Sequence, residues 1–119
     1  MPLKLNVQLD GKESTYERKR PPMLENLLDA LKIQRLETEM YGGESGPTDA
    51  QNAKRMDLYA EFATRFWGQG MTKKDILRGV SSVEGLNQIV EAVNLTLGYN
   101  DDDEDTDEDA KGDKKPAKK

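Results

Sequence analysis

Met56, Tyr59, Ala60, Ala63, Phe66 and Trp67 fall at i, i+3, i+4, i+7, i+10 and i+11, the spacing that lines up one face of an α-helix. A face this apolar, ending in two adjacent aromatic rings, has to be covered by other parts of the chain. The segment from Thr48 to Gln51 opens this helix with a capping box, in which hydroxyl and side-chain amide each satisfy an exposed backbone N–H. Gly68 and Gly70 end it.

Four other segments are available as covers. Leu3, Leu5, Val7 and Leu9 alternate with Lys4, Asn6 and Gln8, the period of a strand with one buried face. Asp10-Gly11 then suits a two-residue type I′ turn, which pairs Leu9 with Lys12, Val7 with Ser14 and Leu5 with Tyr16 and puts Tyr16 on the leucine face. A lone hairpin is marginal in water, so that face must lie on the helices or on another subunit. After Pro21-Pro22, which can occupy a helical first turn, Leu24, Leu27, Leu28 and Leu31 mark a first helix. Leu36 and Met40 roughly continue its stripe, and Gly42-Gly43 stops it. Thr72 caps a short helix through Arg78 that Gly79 terminates. A further capping box, Ser81 to Glu84, precedes Leu86, Ile89, Val90, Val93 and Leu97, with Gly98 as the stop. The expectation is an α+β but mostly α unit, about four helices with an N-terminal β-hairpin.

Composition limits what this unit can do. Of 119 residues, 34% are hydrophobic, enough for one modest core. There is no cysteine and no histidine, which removes disulfides, the commonest metal ligands and the ordinary thiol and imidazole catalysts. The Asp and Glu residues form no recognisable catalytic pair, so the expectation is no enzyme, no catalytic residue, no cofactor and no metal. The N-terminus lacks the apolar run of a signal peptide or membrane span, which argues for a cytoplasmic protein.

Charge divides the chain. Residues 101–119 hold nine acids and five lysines, a net of −4 out of −5 overall, so residues 1–100 are close to neutral. The expectation is a domain over 1–100 and a disordered acidic, lysine-rich tail over 101–119, since the tail has nothing large and apolar to bury. Neither part attracts phosphate, which argues against nucleic acid as a partner. The run from Asp101 to Asp109 resembles a calcium loop in composition only. The turn glycine of such a loop falls on Thr106 and its bidentate glutamate on Gly112.

Two sets of residues are candidates for partner binding. Phe66 and Trp67 could anchor an interface, although their place on the main stripe favours the core. Leu58 and Phe62, spaced i and i+4 off that stripe, are expected to project as exposed apolar surface. The segment from Gly70 to Val93 has the size of a helix-turn-helix. Its second helix carries Glu84, Asn87, Gln88, Glu91 and Asn94 without a lysine or arginine, which favours ordinary packing over DNA reading.

The stretch Phe66-Trp67-Gly68-Gln69, then Met71-Thr72, Asp75-Ile76-Leu77 and Gly79-Val80 before an apolar helix, together with the Asp10-Gly11 turn, resembles the tail assembly chaperones of long-tailed phages of Gram-positive bacteria. The resemblance covers about residues 1–98. It implies a non-structural factor that coats the tape-measure protein, keeps it soluble and yields to the major tail-tube protein, in the cytoplasm of the infected host and absent from the mature virion. It also implies that a longer frameshifted form is made in such families, for which the lysine-rich end suits slippery codons; a tail that only solubilises the domain is the equal alternative. Head-to-tail homo-oligomers would supply the repeated contacts that coating requires. The alternatives are a small helix-turn-helix-like regulator associated with nucleic acid and an acidic inhibitor that mimics nucleic acid. Removing residues 101–119 is expected to leave thermal unfolding nearly unchanged and to lower solubility. Scanning calorimetry and precipitation assays on the truncated chain check both.

Overall fold

A computed structural model describes residues 3–99, and the tail over 101–119 lies outside them. Strands β1 (Leu3–Leu9) and β2 (Lys12–Arg18) form an antiparallel hairpin. Four helices follow: α1 (Leu24–Gly42), α2 (Asp49–Trp67), α3 (Lys73–Gly79) and α4 (Glu84–Leu97). The expected α+β, mostly helical architecture is the observed one.

The hairpin has the expected register, with Leu9 opposite Lys12, Val7 opposite Ser14 and Leu5 opposite Tyr16. Asp10 and Gly11 both take positive φ, 53° and 77°, as the two central residues of a type I′ turn must. Leu5 and Val7 are fully enclosed, and Leu3, Leu9 and Tyr16 pack at the margin of the same cluster. The outer edge of β1 is closed at one point by α4, where the Asn6 N–H donates to Gln88 Oε1 at 2.9 Å.

α2 runs through the middle of the molecule and touches both other long helices, α3 and β2. Tyr59, Ala60, Ala63, Phe66 and Trp67 are buried, as their spacing predicts, and Met56 packs against them. Phe62 stacks on Phe66 with centroids 5.1 Å apart, and Phe66 meets Trp67 edge-on at 4.8 Å. Trp67 Nε1 donates to the Leu3 carbonyl at 3.1 Å, so its one polar atom fastens α2 to the start of the hairpin.

Helix ends follow the sequence signals with two differences. Thr48 with Gln51 and Thr72 with Asp75 form reciprocal capping boxes. At α4 the expected Ser81–Glu84 box is absent: the helix is entered through Val83, and Ser81 Oγ accepts from Gly85 N–H at 2.8 Å. Gly85 lies so close to Val80 that a Cβ there would sit 2.4 Å from its Cγ1, so the chain turns too tightly for a standard cap. At α1 the two prolines precede the N-cap, Met23, whose N–H donates to Asn26 Oδ1 at 2.8 Å.

The joint between hairpin and helices is organised by Arg18, the last residue of β2 and a buried one. Its guanidinium donates from Nε to the Arg20 carbonyl (3.1 Å) and from Nη1 to the Phe66 carbonyl near the end of α2. Nη2 donates to the Pro21 carbonyl (2.8 Å) and to Asn26 Oδ1 (3.2 Å). The same group lies 4.4 Å from the centroid of the Phe66 ring. Burial draws the Arg18 pKa below its ordinary value, yet an arginine stays charged at any physiological pH.

Gly79 closes the packing between α3 and β1, where a Cβ would meet Val7 Cγ1 at 2.7 Å and the Gln8 carbonyl at 2.9 Å. Three stability outcomes follow, each read by urea unfolding. Trp67→Ala should cost about 3 to 5 kcal/mol, as emptying a buried aromatic site does. Arg18→Met should cost about 3 kcal/mol or more, and Arg18→Lys should recover only part of it, because one ammonium cannot reach four acceptors. Gly79→Ala should cost about 1 to 3 kcal/mol through forced displacement of β1. A near-neutral Arg18→Met would show that the joint does not depend on this side chain.

Candidate functional site: an outward leucine face

The expected inward stripe of α1 is the largest correction. Leu24, Leu28 and Leu31 are 78%, 62% and 43% exposed, and Leu27 is half-buried. The buried face is Asn26, Asp29, Ala30, Ile33, Leu36 and Met40. At about 100° per residue, Leu24, Leu28 and Leu31 share a sector of about 60°, while Leu36 and Met40 lie about 120° and 160° from Leu24. The two sets therefore belong to opposite sides of one helix, and no single stripe joins them. That break in phase was the available signal, and the density of leucines in the first two turns hid it.

The inward side is held by polar contacts that hydrophobic counting passes over. Asn26 is gripped by Arg18, and Asp29, nearly inaccessible, is ion-paired with Arg65 of α2. Farther along, Tyr59 Oη donates to Glu37 Oε2 at 2.8 Å, and Arg55 approaches the same carboxylate at 3.5 Å. Burial, then the bond to Glu37, pushes the Tyr59 phenol up, so it stays a neutral donor. These contacts fix the rotation of α1 about its axis and turn the leucines outward.

The candidate partner-binding residues of α2 are placed differently from the expectation. Phe62 is 0% exposed and belongs to the core, which corrects its assignment as exposed surface. Around the helix it is only about 40° from Phe66, so the buried arc is wider than the stripe through Met56 and Ala63 suggests. Phe66 and Trp67 are buried with it. Leu58 is half-buried and shares a shallow groove with Lys32, Arg35 and Leu36 of α1 and Lys54 of α2. The structure thus brings Phe62, Phe66 and Trp67 into one core cluster and leaves Leu58 at its margin.

Beside the leucines, a groove of about 410 Å³ is lined by Glu25, Leu28, Asp29, Leu31, Lys32, Arg35 and Arg65. Its charges are largely matched within the molecule, Lys32 with Glu61 at 3.9 Å and Arg35 with Glu39 at 3.8 Å. On the other flank Leu27, Gln34 and Thr38 carry no charge, and Gln34 Nε2 donates to Tyr99 Oη at 2.6 Å. A second, smaller apolar cleft lies between α2, α3 and α4 among Met56, Ala60, Ile76, Leu77, Val80 and Leu86. Among the described residues no cluster of three or more acidic side chains is placed to hold a metal, and no helix is long and apolar enough to cross a membrane.

Asp29 gives the face a pH signature. Burial raises its pKa and outweighs the opposing pull of Arg65. Between the ordinary carboxylate value of about 4 and the raised folded value, the native state holds more protons than the unfolded chain, so stability falls as pH rises through that window. The stability of the wild type minus that of Asp29→Asn should therefore decline as pH is raised through and just above about 4, measured by urea unfolding. A difference that rises instead would mean that the Arg65 pair dominates.

A family model described as phage tail chaperone protein matches residues 1–113 of the chain. No curated protein and no solved structure matches. The match spans the hairpin, all four helices and most of the acidic segment, in agreement with the resemblance carried by Phe66 to Val80 and the Asp10-Gly11 turn. By that match over nearly its whole length, the chain belongs to the phage tail chaperone family.

Proposed function

We propose that this chain binds the tape-measure protein of a long-tailed phage, keeps it soluble and helps recruit tail-tube subunits as the tube polymerises. The observation that carries the proposal is the outward face of Leu24, Leu28 and Leu31, apolar surface on a helix that is otherwise firmly docked. Apolar groups left on a rigid helix favour a partner that presents apolar groups in return, and an aggregation-prone helical protein does so. Leu58 lines a separate groove that shares Lys32 and Arg35 with the one beside this face, and Phe62, Phe66 and Trp67 lie in the core behind α2.

The role is non-catalytic and belongs to the host cytoplasm during assembly, with the chaperone leaving before the virion is complete. Weak contacts repeated by many copies, arranged head to tail along a long filament, give high avidity without a single tight site that tube subunits could not displace.

Co-expression in bacteria with the cognate tape-measure protein tests the proposal. The tape-measure protein should move from the insoluble to the soluble fraction and co-purify with several copies of this chain. Adding the tube protein should then release them. A tape-measure protein that stays insoluble, or a soluble one that leaves the chain behind, would overturn it.

A further inference from the structure

The leucine face of α1 is complementary to itself. Leu24, Leu28 and Leu31 stand at i, i+4 and i+7, the d-a-d spacing of a coiled-coil seam, and the exposed Arg35 continues their line one turn farther on. At about 100° per residue, Glu25, Lys32 and Glu39 flank this seam on one side, and the uncharged Leu27, Gln34 and Thr38 flank it on the other. Glu25 is exposed and makes no ion pair among the described residues. Lys32, its side chain 57% exposed, has only a 3.9 Å contact with Glu61 there.

A two-fold axis brings like flanks together when two helices run antiparallel, and unlike flanks when they run parallel. Only the antiparallel pair therefore sets charge against charge. An axis passing midway between residues 28 and 29 puts Glu25 of each copy level with Lys32 of the other, because the two positions lie equally far from it on opposite sides. The same register interdigitates the seam. Arg35 of one copy, Leu24 of the other, Leu31 of the first and Leu28 of each follow one another at steps of about 1.5 to 3 Å, and the order then repeats in reverse. The leucines of both copies fill about 14 Å of helix, and an arginine stem lies across each end. A patch of about two and a half turns is smaller than the about 800 Å² per partner of a stable complex, so the pair is weak and reversible.

We infer that the outward face of α1 is a self-association surface, on which a second copy of this chain docks antiparallel, leucine between leucines, with Glu25 of each copy paired to Lys32 of the other. The pair is isologous and closed, so it leaves the other faces of both copies free. It does not rest on the tail-chaperone reading. One face cannot hold a second copy and another helix at once, so pairing covers the leucines until another helix takes the place.

Sedimentation velocity on the full chain should show a monomer at low micromolar concentration that becomes a dimer as the concentration rises towards millimolar. Leu28→Ser, a solvent-facing substitution checked for folding by circular dichroism, should abolish the dimer. Glu25→Lys and Lys32→Glu should each weaken it about tenfold at low salt, and the two together should restore it, since the exchanged charges again face each other. Because the chain contains no cysteine, any disulfide of a single-cysteine variant joins two copies. Under mild oxidation Leu28→Cys, beside the axis, should cross-link, whereas Leu24→Cys, whose two copies lie about 14 Å apart along the helix, should not. A chain that stays monomeric at millimolar concentration, or a dimer untouched by Leu28→Ser, would overturn the inference. So would a double charge variant no better than either single one, or equal cross-linking at both positions, which a parallel pair requires. A dimer of this register with no solubilisation of the tape-measure protein would leave the pairing standing and remove the proposed function. Solubilisation by a chain that never pairs would do the reverse.

Discussion

One guanidinium ties together the end of the hairpin, the first turn of α1 and the end of α2. Arg18 ends the hairpin, and its donors reach the linker carbonyls of Arg20 and Pro21, the first turn of α1 through Asn26, and the open carbonyl of Phe66 at the end of α2. Helices leave their last carbonyls unsatisfied and partly negative, so a buried cation there closes α2 as a cap would. Among the described residues, no carboxylate is hydrogen-bonded to it. The charge is instead spread over four neutral oxygens and the face of Phe66, which suits the broad, weakly hydrated guanidinium and would not suit an ammonium.

The rotation of α1 follows from that joint. With Asn26 fixed by Arg18 and Asp29 by Arg65, the side of α1 that carries Ala30, Ile33 and Met40 must face α2. Two short polar side chains near the N-terminus of α1 thereby outvote three leucines. Burying those leucines would gain about 1.5 to 3 kcal/mol each, so leaving them in water is a real loss of stability. A fold that forgoes it at adjacent turns of one helix has an apolar surface available for another molecule.

The rest of the structure is fastened by contacts between distant segments. Gly79 admits β1 against α3, Trp67 fastens α2 to Leu3, and Gln88 closes the free edge of β1. Each contact links segments far apart in the chain, and together they tie the hairpin to α2, α3 and α4. An apolar face held in place before an encounter lowers the ordering cost of binding.

Local chemistry was readable directly. The alternation in β1 and the Asp10-Gly11 turn determined the hairpin and its register, because a period of two and a pair of positive φ angles are properties of neighbouring residues. The Thr48 and Thr72 boxes marked two helix starts for the same reason, and the stripe ending at Phe66-Trp67 identified the central helix and most of its core. The family, too, was legible in the residues from Phe66 to Val80. What only the tertiary structure decided was which side of α1 faces inward and whether Phe62 is core or surface. Both depend on residues of other elements: Arg65 for Asp29, and the core cluster assembled from the hairpin and the helices for Phe62. An apolar period shows that a helix has a greasy face, but when one helix has two, the polar contacts made elsewhere determine which of them the water sees.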